Sequence, residues 1–405
     1  MAFPRQKILH PQNSWRNFFL GLLKGRLIDG EKIGEFERAF AGFIGARDAI
    51  AIPSGRAGLK FILEGLRLDQ DSEVIAPAYT YPIVPFIIKS MGIPMKFVDI
   101  EPVSLGLDPE KLKQAVSKKT KAVIATHLFG APCDIRKILP IAKENNVDVI
   151  EDCAHSCGAS AGETKTGAFG RAAYFSFETS KCINTLGGGM ITTTDKELGQ
   201  RIRSLRDQGH SPTAGKIFKR LLKSGFEASV TYPPFFSLFV YPLLRIASFM
   251  KGPKDVVGAG YVGSDITMRG RLEKYTNFQA GLGLEQLRSL TEINDKRIKN
   301  AAMLMNELEG AVSFQRPVSS EDRPNYLLFT ILVPGMEDVA LRLLKAGVDT
   351  KRYYMRDCSA LYGTGEEFPN AARAEREALH IPSYPGLSRS DIEEIAARVK
   401  RAVHG

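Results

Sequence analysis

From about residue 47 to residue 195, short runs rich in β-branched and aromatic residues alternate with stretches that repeat on a helical period. No other feature of the chain narrows its fold as much. DAIAIPSG, SEVIAPAYT, MKFVDI, KAVIATHLFG, DVIEDCAH, AAYFSFE and GMITTTD read as strands. AGLKFILEGLRL, DPEKLKQAV and DKELGQRIRSLRD read as helices, with Asp108 before Pro109 as a natural N-cap and first-turn pair. Strands separated by helices of this length predict a mostly parallel α/β sheet. In such sheets, ligands gather beyond the carboxyl ends of the strands.

The pattern then changes. From Asn277 to about Glu309 the chain reads as one long helix, followed by an apolar strand, YLLFTILVP, and a helix over about 337–346. A last helix starts at the capping pattern Ser388-Arg-Ser-Asp391. The expected division is a large cofactor-binding domain, 1–276, with an N-terminal arm and an apolar insertion near 230–250, and a smaller α+β C-terminal domain, 277–405. There is no internal repeat and no low-complexity linker.

The net charge of +10 favours anionic partners. No dense Arg/Lys block interleaved with aromatics occurs, so nucleic acid is the least expected of them. The five cysteines are odd in number and without repeated spacing, which predicts reduced thiols in a cytoplasmic protein. The N-terminal MAFPRQKILHPQNSW lacks the apolar core of a secretion signal.

One stretch fits neither domain. VTYPPFFSLFVYPLLRIASFM, residues 230–250, carries a single charge, Arg245, and is flanked by Lys216, Lys219, Arg220, Lys223, Lys251 and Lys254. Three prolines and the Arg argue against a plain transmembrane helix. Two readings stay open: a buried hairpin of helices at a subunit contact, or an apolar patch resting on a membrane with basic flanks.

Three short motifs carry chemistry. Ser54-Gly55-Arg56-Ala57-Gly58 sits between a strand and a helix, where free N–H groups make a phosphate seat, although a plain turn would look the same. The strand VDVIED ends on Glu151 and Asp152, at the edge where ligands bind; an isolated Asp there also serves as an N-cap. Cys153, His155 and Cys157 follow, but in one extended stretch their side chains stand too far apart for compact tetrahedral ligation, so no metal is expected. Lys181 lies five residues after Ser176 and before a glycine-rich turn. Desolvated, such a lysine loses its proton and becomes a nucleophile toward carbonyl carbon, whereas a single loop lysine is more often merely solvated. Taken in order, the phosphate turn, strand-end acid and serine–lysine pair match the needs of pyridoxal phosphate: donors for a phosphate, a carboxylate for a ring nitrogen, an amine for an aldehyde.

The ordered pieces IGEFERAFAGFIGARDAIAIPSG, EVIAPAYTYP, HLFGAPCDI, VIEDCAHSCGA, GAFGRAAYFSFETSK, FQAGLGLEQL and LHIPSYPGLSRSDI resemble the DegT/DnrJ/EryC1/StrS family of pyridoxal-phosphate sugar aminotransferases over nearly the whole chain. The resemblance implies a fold of the aspartate-aminotransferase type (fold type I) and a homodimer with each active site at the subunit boundary. It implies that Lys181 joins the cofactor's aldehyde, Asp152 pairs with the ring nitrogen, His155 lies near the ring hydroxyl and Tyr81 stacks on the ring. Ser176 and the turn at Gly55, Arg56 and Ala57 would hold the phosphate. Three departures stand out: Arg56 replaces the family's usual Thr, Leu186-Gly187-Gly188-Gly189 lacks the usual acid, and Leu272 and Lys274 replace an Asn-x-Arg pair. Family members that run dehydrations replace the lysine with His, so Lys181 implies transamination. The expected donor is glutamate and the expected acceptor a nucleotide-linked keto-sugar. A lipid-linked or membrane-associated acceptor, a dehydratase and a non-catalytic member remain the alternatives. Arg352 and Tyr353, in DTKRYYMRD, are further candidates for acceptor contacts.

Overall fold

The computed structural model describes residues 1–69, 71–250 and 273–404. Leu272, Lys251 and Lys254 lie outside the described residues. Seven strands form the main sheet: β1 (Asp48–Ile52), β2 (Glu73–Pro77), β3 (Met95–Val98), β4 (Thr120–Thr126), β5 (Asp148–Asp152), β6 (Ala172–Ser176) and β7 (Gly189–Thr193). Their order across the sheet is β1-β7-β6-β5-β4-β2-β3. Neighbours pair in parallel except β7, which runs antiparallel to both β1 and β6. The sheet is therefore mixed and mostly parallel, as the alternating pattern predicts.

Period-two alternation sends neighbouring residues of each strand to opposite faces. Ile50, Ile52, Ile124, Ile150 and Ile191 face one layer, where helices Gly55–Leu66 and Lys196–Asp207 cover them. Val123, Val149 and Ala125 face the other. Each such fully buried Ile or Val contributes about 1.5–3 kcal/mol, so the face assignment of every strand is firmly set. The same alternation separates two adjacent acids, since Asp152 shares a face with Ile150 and Glu151 shares one with Val149. Glu151 is fully buried and accepts from the backbone N–H groups of Gly167 (2.7 Å), Phe169 (2.9 Å) and Gly170 (2.8 Å), and meets His127 Nε2 at 3.0 Å.

Eight helices matter below: α1 (Ser14–Leu23), α2 (Lys32–Ile44), α3 (Gly55–Leu66), α4 (Ala214–Val230), α5 (Tyr241–Met250), α6 (Asn277–Leu308), α7 (Met336–Lys345) and α8 (Arg389–His404). The long helix α6 starts on a capping box in which Thr276 and Gln279 bond each other's backbone. Ala280, Leu287 and Leu290 of its first half pack with Phe36 and Phe40 of α2, and Gly283 is where the Phe36 ring lies flush: a Cβ there would meet it at 2.4 Å. Ala301, Leu304 and Leu308 of its second half enter a different core, with α7, α8 and a three-stranded antiparallel sheet of Ser313–Phe314, Phe329–Leu332 and Ala378–Ile381. The N-terminal arm also ends in that second core. Phe3 is fully buried there, and its backbone exchanges hydrogen bonds with Gly347 and Asp349.

The apolar stretch near 230–250 forms a helical turn, Pro233–Phe235, a π-helical turn, Phe236–Val240, and then α5. Its anchors are few: buried Phe236, the Ser237 hydroxyl bonded to the Ala2 backbone at 3.0 Å, and the Tyr241 hydroxyl donating to Lys345 O at 3.1 Å. Among the described residues no helix is long and apolar enough to cross a membrane. All five cysteines are free and buried.

Candidate active site

The carboxyl ends of the parallel strands converge on a cavity of about 420 Å³. Ser54 follows β1, Thr80 follows β2, Thr126 ends β4, Asp152 ends β5 and Ser176 ends β6, and all five line it. Thr126 is opposite Asp152 in the β4–β5 register, and Asp152 is opposite Tyr174 in β5–β6, so three polar side chains stand in a row across the sheet.

Of the residues singled out by sequence, Gly55, Arg56, Tyr81, Asp152, His155, Ser176 and Lys181 line this cavity. Ala57 does not; it is buried, and its amide donates to the Ser54 side chain at 3.2 Å, closing the cap of α3. The first turn of α3 opens onto the cavity at Gly55 and Arg56, bringing the positive end of a helix dipole with it. Only glycine fits at position 55 without displacement, because a Cβ would meet the Ser176 Cβ at 3.2 Å.

Lys181 Nζ donates to the Tyr354 hydroxyl at 2.9 Å, and His155 Nε2 meets the same hydroxyl at 3.3 Å. The Phe129 amide donates to His155 Nδ1 at 3.3 Å, which assigns the proton to Nε2 and directs it at Tyr354. Burial, with the cations Lys181 and Lys351 nearby, holds His155 well below the ordinary imidazole pKa and keeps it neutral. Burial alone would raise the Tyr354 pKa, but Lys181 and Lys351 outweigh it and bring the phenol below its usual value. Lys351 Nζ stands 3.3 Å from the Tyr354 ring centroid, and burial pulls its own pKa down to about 8. Asp152 is raised by burial, against the pull of the Tyr174 hydroxyl, the Ala154 amide at 3.0 Å and Lys181. The Tyr174 hydroxyl lies beside Asp152 but falls short of hydrogen-bond geometry.

Thr80, Thr126 and Tyr174 all line the cavity with buried hydroxyls that have no hydrogen-bond partner. A buried orphan hydroxyl costs free energy, and three around one cavity mark it as shaped for a polar guest. A helix N-terminus for an anion, a carboxylate, a hydroxyl row and an amine fit a phosphate-bearing aromatic aldehyde with a ring nitrogen.

Sequence reading passed over Tyr354, Thr80 and Thr126. Arg352 and Tyr353, expected as acceptor contacts, do not line this cavity, and the Tyr353 hydroxyl donates to the Glu337 carboxylate. No spacing rule singles out Tyr354, because the chain is irregular there and Tyr353 has a positive φ of 53°. Cys153, His155 and Cys157 do not form a ligand cluster. The one group with metal-binding spacing among the described residues is His127, Glu151 and Cys153, and its carboxylate is saturated by the three amides and the imidazole described above.

The glycine turn after Lys181 keeps its shape without an acid. Leu186, Gly187 and Gly188 all have positive φ (62°, 105° and 98°), the Gln279 side chain donates to Thr185 O and Gly187 O, and buried Leu186 packs against Phe18, Phe278 and Leu282. Lys274 bonds through its backbone to His210 O at 2.8 Å.

Known proteins resemble this chain over most of its length. GDP-perosamine synthase of Escherichia coli is 36% identical over 368 residues, covering 90% of this chain and 88% of that protein. The spore coat polysaccharide biosynthesis protein SpsC of Bacillus subtilis is 27% identical over 402 residues, covering 95% and 92%. The crystal structure of an aminotransferase from Psychrobacter cryohalolentis superposes with a TM-score of 0.78 at 21% identity, covering 100% of both chains, and shares the fold-type-I architecture. The model of the DegT/DnrJ/EryC1/StrS aminotransferase family matches residues 19–400. The chain belongs to the DegT/DnrJ/EryC1/StrS aminotransferase family, whose members depend on pyridoxal phosphate.

Proposed function

We propose that this aminotransferase moves an amino group from an amino acid, glutamate foremost, to the keto group of a nucleotide-linked sugar. The observation that carries the reading is the grouping of Lys181, Tyr354 and Asp152 in one cavity with an anion-binding helix end. The synthases of GDP-perosamine and the dTDP-sugar transaminases among its relatives support a nucleotide-sugar acceptor. The net charge of +10 accords with a diphosphate substrate.

Pyridoxal phosphate, when bound, supplies a carbonyl that condenses with amines and a ring that draws electrons from the adjoining carbon. The chain's own residues do the rest. Gly55, Arg56 and Ser176 would hold the phosphate at the first turn of α3. Asp152 would hold the ring nitrogen protonated, since a cation placed against this carboxylate offsets the burial that raises its pKa. Tyr81 would stack on the ring, and neutral His155 would lie near its hydroxyl. Lys181 would be the amine that holds the aldehyde and, when free, the base that could carry a proton between the two reacting carbons. Tyr354 aligns that amine through its 2.9 Å hydrogen bond, and Lys351 beneath its ring keeps the phenol at a lowered pKa.

The active unit in this reading is a homodimer with the cavity at the subunit boundary, checked by sedimentation equilibrium. The free thiols fit a reducing compartment, the cytoplasm. The deciding experiment is the near-visible spectrum of the purified protein with and without glutamate, beside a Lys181→Ala variant. A band that bleaches with glutamate, absent or altered in the variant, followed by amination of a nucleotide-linked keto-sugar, is the expected result. Consumption of the sugar with no amino donor would make the enzyme a dehydratase, and a protein that stays colourless with added cofactor would be a non-catalytic member.

A further inference from the structure

We infer that the surface formed by α1, α4 and the helical turns leading into α5 docks on an anionic phospholipid bilayer, with the cavity mouth opening beside it. The surface holds large apolar side chains in water: Leu23 is 83% exposed, Phe226 69%, Leu238 71% and Leu243 68%. Singly exposed apolar residues are ordinary, but a contiguous group is not. The group is contiguous because α1 packs on α4, with Phe218 5.6 Å from Phe18 and 6.0 Å from Trp15 between ring centroids, and α4 leads directly into the turns before α5.

Charge selects the occupant. Segments 14–26 and 214–248 together carry eight Lys and Arg against one acid, Glu227. Among the described residues, two acids from neighbouring elements bond to this surface. Glu273 pairs with Lys216 and Arg220, each at 2.6 Å, and Glu285 accepts from Asn17. Arg16, Lys24, Lys219, Lys223 and Arg245 stay exposed around the apolar residues. A second copy of the chain seated here by two-fold symmetry would set this cationic patch against itself. An anionic lipid surface instead neutralises the cations while its interface takes up the apolar side chains. With no helix fit to span a bilayer, the contact is interfacial.

The docking surface and the cavity share α4: Lys223 and Glu227 line the cavity, and Leu222 and Phe226 of the same helix face outward. Docking therefore fixes the direction from which the acceptor enters.

The test is flotation of the full-length holoenzyme with vesicles of phosphatidylcholine alone or mixed with phosphatidylglycerol. The wild type is expected to float with the anionic vesicles, to release in high salt and to ignore the neutral ones. Lys219→Glu should weaken binding by about fivefold or more, the share of one interfacial cation. The double variant Leu238→Glu/Leu243→Glu should abolish binding while its glutamate half-reaction, read as bleaching of the cofactor band, stays at the wild-type rate. No flotation of wild type with anionic vesicles would overturn the inference. So would flotation that the double variant retains, or a wild-type oligomer that this variant splits, since the surface would then join copies of the chain. The half-reaction readout keeps each of these outcomes separate from failure of the proposed enzymatic function.

Discussion

Two phenylalanine-rich stretches of this chain meet opposite fates. Phe175 on β6 and Phe177 just past its end, leading to Lys181, are fully buried; Phe175 packs edge-on against Phe40 at 5.0 Å, and Phe177 packs against Phe36 at 5.7 Å and Phe40 at 5.6 Å. Among the described residues, the Phe235 and Phe239 rings meet only each other, tilted at 4.8 Å, and remain 40% and 58% exposed. The residues are chemically the same, so the difference lies in what surrounds them. The first pair stands at the end of a strand, packed against α2. The second stands on a helical excursion with one side unroofed. Burial in the first holds the segment before Lys181 rigid, and exposure in the second leaves a surface open for the docking inferred above.

Substitutions can break this contrast from either side. Lys181→Ala should lower transamination by about 10³-fold or more and leave vesicle binding untouched, measured as product formation and flotation on one preparation. Phe177→Ala should cost about 3–5 kcal/mol of stability, seen as a shifted denaturant midpoint. Tyr354→Phe removes the acceptor of a charged hydrogen bond and should slow the glutamate half-reaction by roughly 10- to 100-fold, with a changed pH profile that a merely structural role would not produce. Asp152→Asn carries a signed pH effect. The folded carboxyl titrates above its unfolded value, so the cofactor-free protein loses stability as pH rises through that window, and the Asn variant escapes the loss. Thermal melts from acid to neutral pH should converge at the acid end and separate upward, with the variant the more stable. At the small end, Leu243→Ser should move stability by less than about 0.5 kcal/mol in the same denaturant assay, although it weakens flotation.

Much of this was legible because it rests on local rules. Strand-end acids, a glycine-bearing turn before a helix and the lysine after β6 are statements about short segments, and the sheet is assembled from such segments. Contacts set by distant parts of the chain were not legible. Tyr354 reaches Lys181 across 173 residues. Thr80 and Thr126 matter through proximity that no spacing records. Sequence left the 230–250 stretch open between a buried hairpin and an exposed patch, because its apolar content is the same in both. Only the burial of Phe236 beside the exposure of Leu238 and Phe239 tells which side faces the protein.

Glu151 and Asp152 are two neighbouring letters of similar chemistry that carry unrelated messages. One is spent on holding the 167–170 loop; the other is turned toward the cavity. Exchanging their order would leave composition, charge and hydropathy unchanged. Yet it would set a longer acid against the cavity and a shorter one beneath the loop, too short to reach the amides it must bond. The pair is thus an address as much as a chemistry: what each carboxylate does is written in whether its position is odd or even.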